Sequence, residues 1–262
     1  MKQLPTILMA LVLLLCIGCG SSGGSQNPAL KTERARADAA RTQVALGFGY
    51  LDRGDNEEAL LRFERALSFD KSSYDAQTGL GVLFERIGRT GQAETAYRRA
   101  VKLAPARGAL RNNLGQFLCR QARYPDASKE FALALEDPFY QTPAVAAANA
   151  GSCARLSGDY AESERFLRIA IERDPKSIEV FMPMAAVLLQ RGQALKARAY
   201  IQRYEDSELP ETEEFLVLAI RIEEKLNDLK NAQAYKQKLI EQFPKSDAAR
   251  ANALIQQSEQ SE

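Results

Sequence analysis

The sequence predicts an all-α chain built from repeated helix pairs, and three observations carry that prediction. From Lys31 onward, Ala, Leu, Arg, Glu and Gln dominate, all strong helix formers. Apolar residues recur at helical spacing, with no β-branched alternating stretch between them. Gly47, Gly81, Gly115 and Gly151 stand at intervals of 34, 34 and 36 residues, in VALGFGYLDRG, TGLGVLFERIG, NNLGQFLCRQA and ANAGSCARLSG.

The chain opens differently. Leu4 to Ile17 is apolar except for Thr6, with Lys2 as a positive lead, and the run is short for a bilayer span. Ile17-Gly18-Cys19 resembles the cleavage box of a bacterial lipoprotein, so residues 1–18 read as an export signal. Cys16 follows bulky Leu15 and is the poorer acceptor, which leaves Cys19 as the expected lipidation (palmitate-bearing) site. Residues 19–30 then read as the lipidated N-terminus and a flexible tether, since Gly20 to Leu30 is rich in Gly and Ser. As a coil that tether spans on the order of 18 Å.

Export determines how the cysteines are read. Of four, Cys16 leaves with the leader and Cys19 becomes a thioether, so Cys119 and Cys153 form an even pair in the folded body. In a cytosolic chain two buried thiols would be the natural reading; an oxidising compartment favours a disulfide. Of 35 basic residues only Lys2 lies in the leader, and the remaining 34 balance 34 acidic ones. That balance gives no reason to expect nucleic acid as a partner. With no His in the chain, a histidine base is impossible and a zinc site is poorly supplied.

The repeat extends beyond its glycines. Ala59, Ala93, Ala127 and Ser163 follow each by 12 residues, and Ala66, Ala100, Ala134 and Ala170 come seven later. Phe63, Tyr97 and Phe131 sit between the two small positions, while Pro105 and Pro175 close their units. This pattern resembles the tetratricopeptide repeat, most closely at Leu80-Gly81, Phe84, Ala93, Tyr97, Ala100 and Pro105. Small residues mark where the two helices of a unit cross, aromatics fill the space toward the next unit, and stacking supplies the stability. Six units are expected over residues 31–250, near 40–73, 74–107, 108–143, 144–177, 178–212 and 213–246, with a polar tail at 251–262.

Competing motifs yield to this pattern. The glycines at Gly47 and Gly79 follow no strand, so they are not a dinucleotide loop. Glu57-Glu58, Glu213-Glu214 and Glu223-Glu224 read as solvated helix faces rather than acid–base pairs. No catalytic residue, metal site or cofactor is expected; the array is expected to bind a protein. First helices line the concave side of such a superhelix, placing Phe48, Val82, Asn112, Asn113, Gln116, Asn149 and Ser152 in a candidate groove. Asn113 and Asn149 share the sixth place of units three and four. An Asn there either bonds a ligand backbone or ties adjacent helices. Both readings stand for Asn149, and Asn113, beside polar Asn112, favours binding.

The lipoprotein leader, six repeats, NNLGQFLC at Asn112 to Cys119 and NAGSCA at Asn149 to Ala154 together resemble the type IV pilus biogenesis/stability lipoprotein family. The resemblance implies a pilotin that binds subunits of the pilus secretin in the periplasm. It would ride the lipoprotein sorting machinery to the outer membrane and promote ring assembly there. Gly20, rather than Asp, after the lipidated cysteine agrees with outer-membrane placement. The alternative is a repeat scaffold of another envelope machine, such as outer-membrane barrel assembly or a peptidoglycan-enzyme adaptor.

Overall fold

The computed structural model describes residues 28–207 and 209–259; the expected leader, Cys19 and nearly all of the tether lie outside them. Among the described residues there are thirteen α-helices and no strand. Six antiparallel pairs follow one another. They are α1 (Pro28–Arg53) with α2 (Asn56–Phe69), α3 (Tyr74–Arg86) with α4 (Thr90–Leu103), and α5 (Gly108–Arg120) with α6 (Tyr124–Leu135). Then come α7 (Pro143–Leu156) with α8 (Tyr160–Arg173), α9 (Phe181–Gln190) with α10 (Ala194–Glu205), and α11 (Glu213–Lys225) with α12 (Leu229–Gln242). A 3-10 turn at Ile178–Val180 leads into α9, and α13 (Asp247–Glu259) packs on α12. Among the described residues no helix is long and apolar enough to cross a membrane.

Both ends of the array carry more helix than the sequence suggests. Helix α1 begins at Pro28, inside the expected tether, and Pro suits a first helical position because its missing N–H has no partner there. Helix α13 replaces most of the expected polar tail. Ser246 starts it by accepting from the Ala249 amide at 3.1 Å, and Ala249 is buried.

Successive odd-numbered helices touch one another, whereas the even-numbered ones pack mainly on the flanking odd helices. That arrangement gives the array an inner wall of first helices. The core runs along it in three clusters, and the repeat residues sit at its centre: Ala59, Phe63, Ala93, Tyr97, Ala127, Phe131 and Phe166 are all buried. Phe63 shows why small residues are needed. A Cβ on Gly47 would lie 2.5 Å from its ring, and one on Gly79 of the next unit 2.2 Å. The aromatic is therefore held between its own first helix and the following one, and Gly79 belongs to the packing.

Every pair turns at the same left-handed residue. Gly54, Gly88, Gly158 and Gly192 have φ of 84°, 75°, 81° and 72°, and Ala122 and Asn227 fill the position at 56° and 55°. Glycine and asparagine adopt this geometry readily, whereas alanine is strained there.

Charge stitches the units together. Arg86 donates to the Leu51 carbonyl, and Arg120 Nε reaches Glu85 Oε1 at 2.5 Å. Glu164 of α8 holds Arg168 and Arg191, while Glu223 pairs with Arg198, which also reaches Asp228. Glu223 thus corrects the reading of its acidic pair as a solvated face: it is buried, and the Arg198 guanidinium compensates its charge.

Candidate functional site

The seam between α5 and α7 is tied twice. Asn149 Nδ2 donates to Asn112 Oδ1 at 3.1 Å, and Cys119 is disulfide-bonded to Cys153 with Cα atoms 5.8 Å apart. These ties decide which predicted residues face a partner. Asn112 is only 5% exposed and belongs to the seam, so it is removed from the groove. Asn149 is half-buried and its amide N–H is already committed to Asn112, so it acts as a helix tie. Phe48 packs edge-on against Phe63, ring centroids 5.2 Å apart, and Val82 packs against two core clusters. Both keep part of their surface in solvent.

Asn113, Gln116 and Ser152 are half-buried, and among the described residues their side chains have no hydrogen-bond partner. They retain donors and acceptors that a bound peptide backbone can use. Of the polar residues expected in the groove of units three and four, these three keep free hydrogen-bonding groups, while Phe48 on α1 and Val82 on α3 offer partly exposed apolar surface.

Further along the first helices, packing adds a second feature. A cleft of about 750 Å³ opens among α7, α9, α11 and α13, starting at Ser152. Met182, Pro183, Ala186 and Val217 line its apolar floor, and all four are partly exposed. Arg155 and Arg221 stand on its rim, as do Glu213, Glu214 and Asp247. The apolar spacing of α9 and α11 signalled two of its walls. The fourth, α13, was hidden because a polar composition after Arg250 suggested a tail.

Among the described residues no group of three or more His, Cys, Asp or Glu is arranged to hold a metal ion. Burial raises the Tyr97 hydroxyl above its usual range, and Glu85, which accepts from that hydroxyl at 3.1 Å, reinforces the shift.

Repeated helix pairs with small residues at their crossings, stacked into an inner wall of first helices, define a tetratricopeptide-repeat protein. The model of the tetratricopeptide repeat matches residues 44–108 and 83–143. The chain is 30% identical over 244 residues to the type IV pilus assembly protein PilF of Pseudomonas aeruginosa, covering 92% of this chain and 96% of that one. It belongs to the PilF family. Its fold is similar to the solved structure of Pseudomonas aeruginosa pilF, with a TM-score of 0.73 and 26% identity, over 83% of this chain and 97% of that one. It is equally similar to PilW, described as a widely conserved type IV pilus biogenesis factor, with a TM-score of 0.72 and 26% identity, over 81% of this chain and 97% of that one. The sequence resemblance and these relatives agree at the level of type IV pilus biogenesis repeat proteins.

Proposed function

We propose that the protein is an outer-membrane pilotin, anchored by acyl chains on Cys19 and facing the periplasm, which binds subunits of the type IV pilus secretin and promotes their localisation and assembly. The single observation that carries this reading is the similarity to PilF along nearly the whole length of both chains. It favours pilus machinery over the barrel-assembly and peptidoglycan-adaptor alternatives. The inner wall supplies the means: Asn113 and Gln116 offer unpaired amides to an extended segment of the secretin, and Ser152 extends that row. The lipid supplies the address, since several acyl chains hold far more firmly than one, at about 0.8 kcal/mol per buried methylene.

A photoreactive residue at Gln116 in living cells tests the contact, with the captured protein identified by mass. Secretin subunits are expected at Gln116, and none from Lys129, exposed on α6. Cys19→Ser should leave a folded protein in the periplasm, secretin monomers away from the outer membrane, and few pili. Normal secretin binding by an Asn113→Ala, Gln116→Ala double variant would remove this groove from the proposal.

A further inference from the structure

We propose that the cleft among α7, α9, α11 and α13 is a second docking site, and that it takes an amphipathic protein helix bearing an acidic and a basic residue seven positions apart with apolar residues between them. The cleft excludes Asn113 and Gln116, on which the secretin reading rests, and only Ser152 borders both surfaces.

Arg86 and Arg120, in the last turns of α3 and α5, are consumed by the seams between first helices, reaching Leu51 and Glu85. Arg155 lies in the corresponding turn of α7, yet among the described residues neither it nor Arg221 is ion-paired. Both stand on the cleft rim. Glu213 and Glu214, also unpaired among the described residues, lie in the first turn of α11, on the same rim.

Glu214 and Arg221 are seven residues apart on one helix, hence about 10 Å apart along its axis and on one face. Between them the lining is apolar: Val217 from α11, Met182 and Ala186 from α9. A helix running antiparallel to α11 matches all of this. Its acidic residue meets Arg221 and Arg155, its basic residue meets Glu214, and the apolar residues three and four places along enter the floor. Small Ala186 and Ala248 leave room for its backbone. The opposed charges at the two ends set the orientation of the bound helix and discriminate against uniformly charged segments.

The test uses the full chain in detergent and three short synthetic helical peptides sharing one Leu pair. The first carries Asp and Lys seven apart, the second Lys at both places, the third Asp at both. Fluorescence anisotropy should show the Asp–Lys peptide binding at least about tenfold more tightly than either uniform peptide. Arg221→Glu, a change at an exposed residue, should transfer the preference to the Lys–Lys peptide, and Val217→Asp should abolish binding with helicity retained. The Asn113→Ala, Gln116→Ala protein should bind the peptide like the parent, whatever becomes of its secretin contact. Equal affinity for all three peptides, or no binding by any, overturns the proposal. Self-association that Arg221→Glu abolishes, without peptide selectivity, would also overturn it by assigning the cleft to a second copy of the chain.

Discussion

Asn149 donates its side-chain N–H to the Asn112 carbonyl oxygen at 3.1 Å, joining α7 to α5 across 37 residues of sequence. Asn112 is buried, so loss of its partner leaves a desolvated amide. Asn149→Ala should therefore destabilise by about 1–3 kcal/mol in urea denaturation. Asn113→Ala, one residue from Asn112 but without a partner, should leave the midpoint nearly unchanged. Equal midpoint shifts for the two variants would contradict the assignment of Asn149 to the seam and Asn113 to the groove.

The disulfide lies on the same seam. Cys119 and Cys153 are separated by 34 residues, and closing a loop of that length is worth about 3–4 kcal/mol by chain entropy. Cys119→Ser should lower the melting temperature as much as the double serine variant does. Thiol titration of denatured, unreduced protein from the periplasm checks the premise; two reactive thiols would refute it.

Ala122 occupies the left-handed turn position at φ 56° that glycine fills in four other units. Ala122→Gly should relieve that strain, and the stabilisation that remains after the added freedom of the unfolded chain is about 0.5–1 kcal/mol. Thermal unfolding is the direct measurement, and a lowered midpoint would show that the turn is not under strain.

Gly79 and Gly91 are both helical glycines with opposite surroundings. A Cβ at Gly79 would sit 2.2 Å from the buried Phe63 ring, whereas one at Gly91 meets nothing within 4 Å. Gly79→Ala is expected to cost about 1–3 kcal/mol through forced repacking. Gly91→Ala should be neutral or slightly stabilising. Denaturation curves for the pair measure this contrast independently of any binding assay.

Acid should loosen the junction between units four and five. Burial of Glu164 opposes its ionisation, but hydrogen bonds and charge from Arg168 and Arg191 outweigh it and hold its carboxyl below the ordinary Glu value. Because the folded value is depressed, its stabilising contribution is present above the unfolded value, near 4.3, and disappears as pH falls through the folded one. Glu164→Gln should cost about 1–2 kcal/mol at pH 7, since both arginines remain partly in water. The gap from the parent should close below about pH 4. A pH series of urea midpoints with a constant gap would rule out this role for Glu164.

The sequence by itself determined the repeat, because its information is local and periodic. Glycines at 47, 81, 115 and 151, followed by alanines and aromatics in register, can be read by counting, and the described helices form six successive pairs. Tertiary structure decided which side chains the partner can reach. Asn112 and Asn113 are adjacent in the chain, and Asn149 aligns with Asn113 by count, yet the crossing of α5 and α7 brings it to Asn112. Glu223 is likewise adjacent to exposed Glu224 but lies buried beside Arg198. The C-terminal cleft depended on packing even more, because its walls come from four helices and α13 is polar enough to read as a tail. Helical periodicity specifies the inward stripe of each helix, but the angle and offset at which two helices meet depend on side chains distant in sequence.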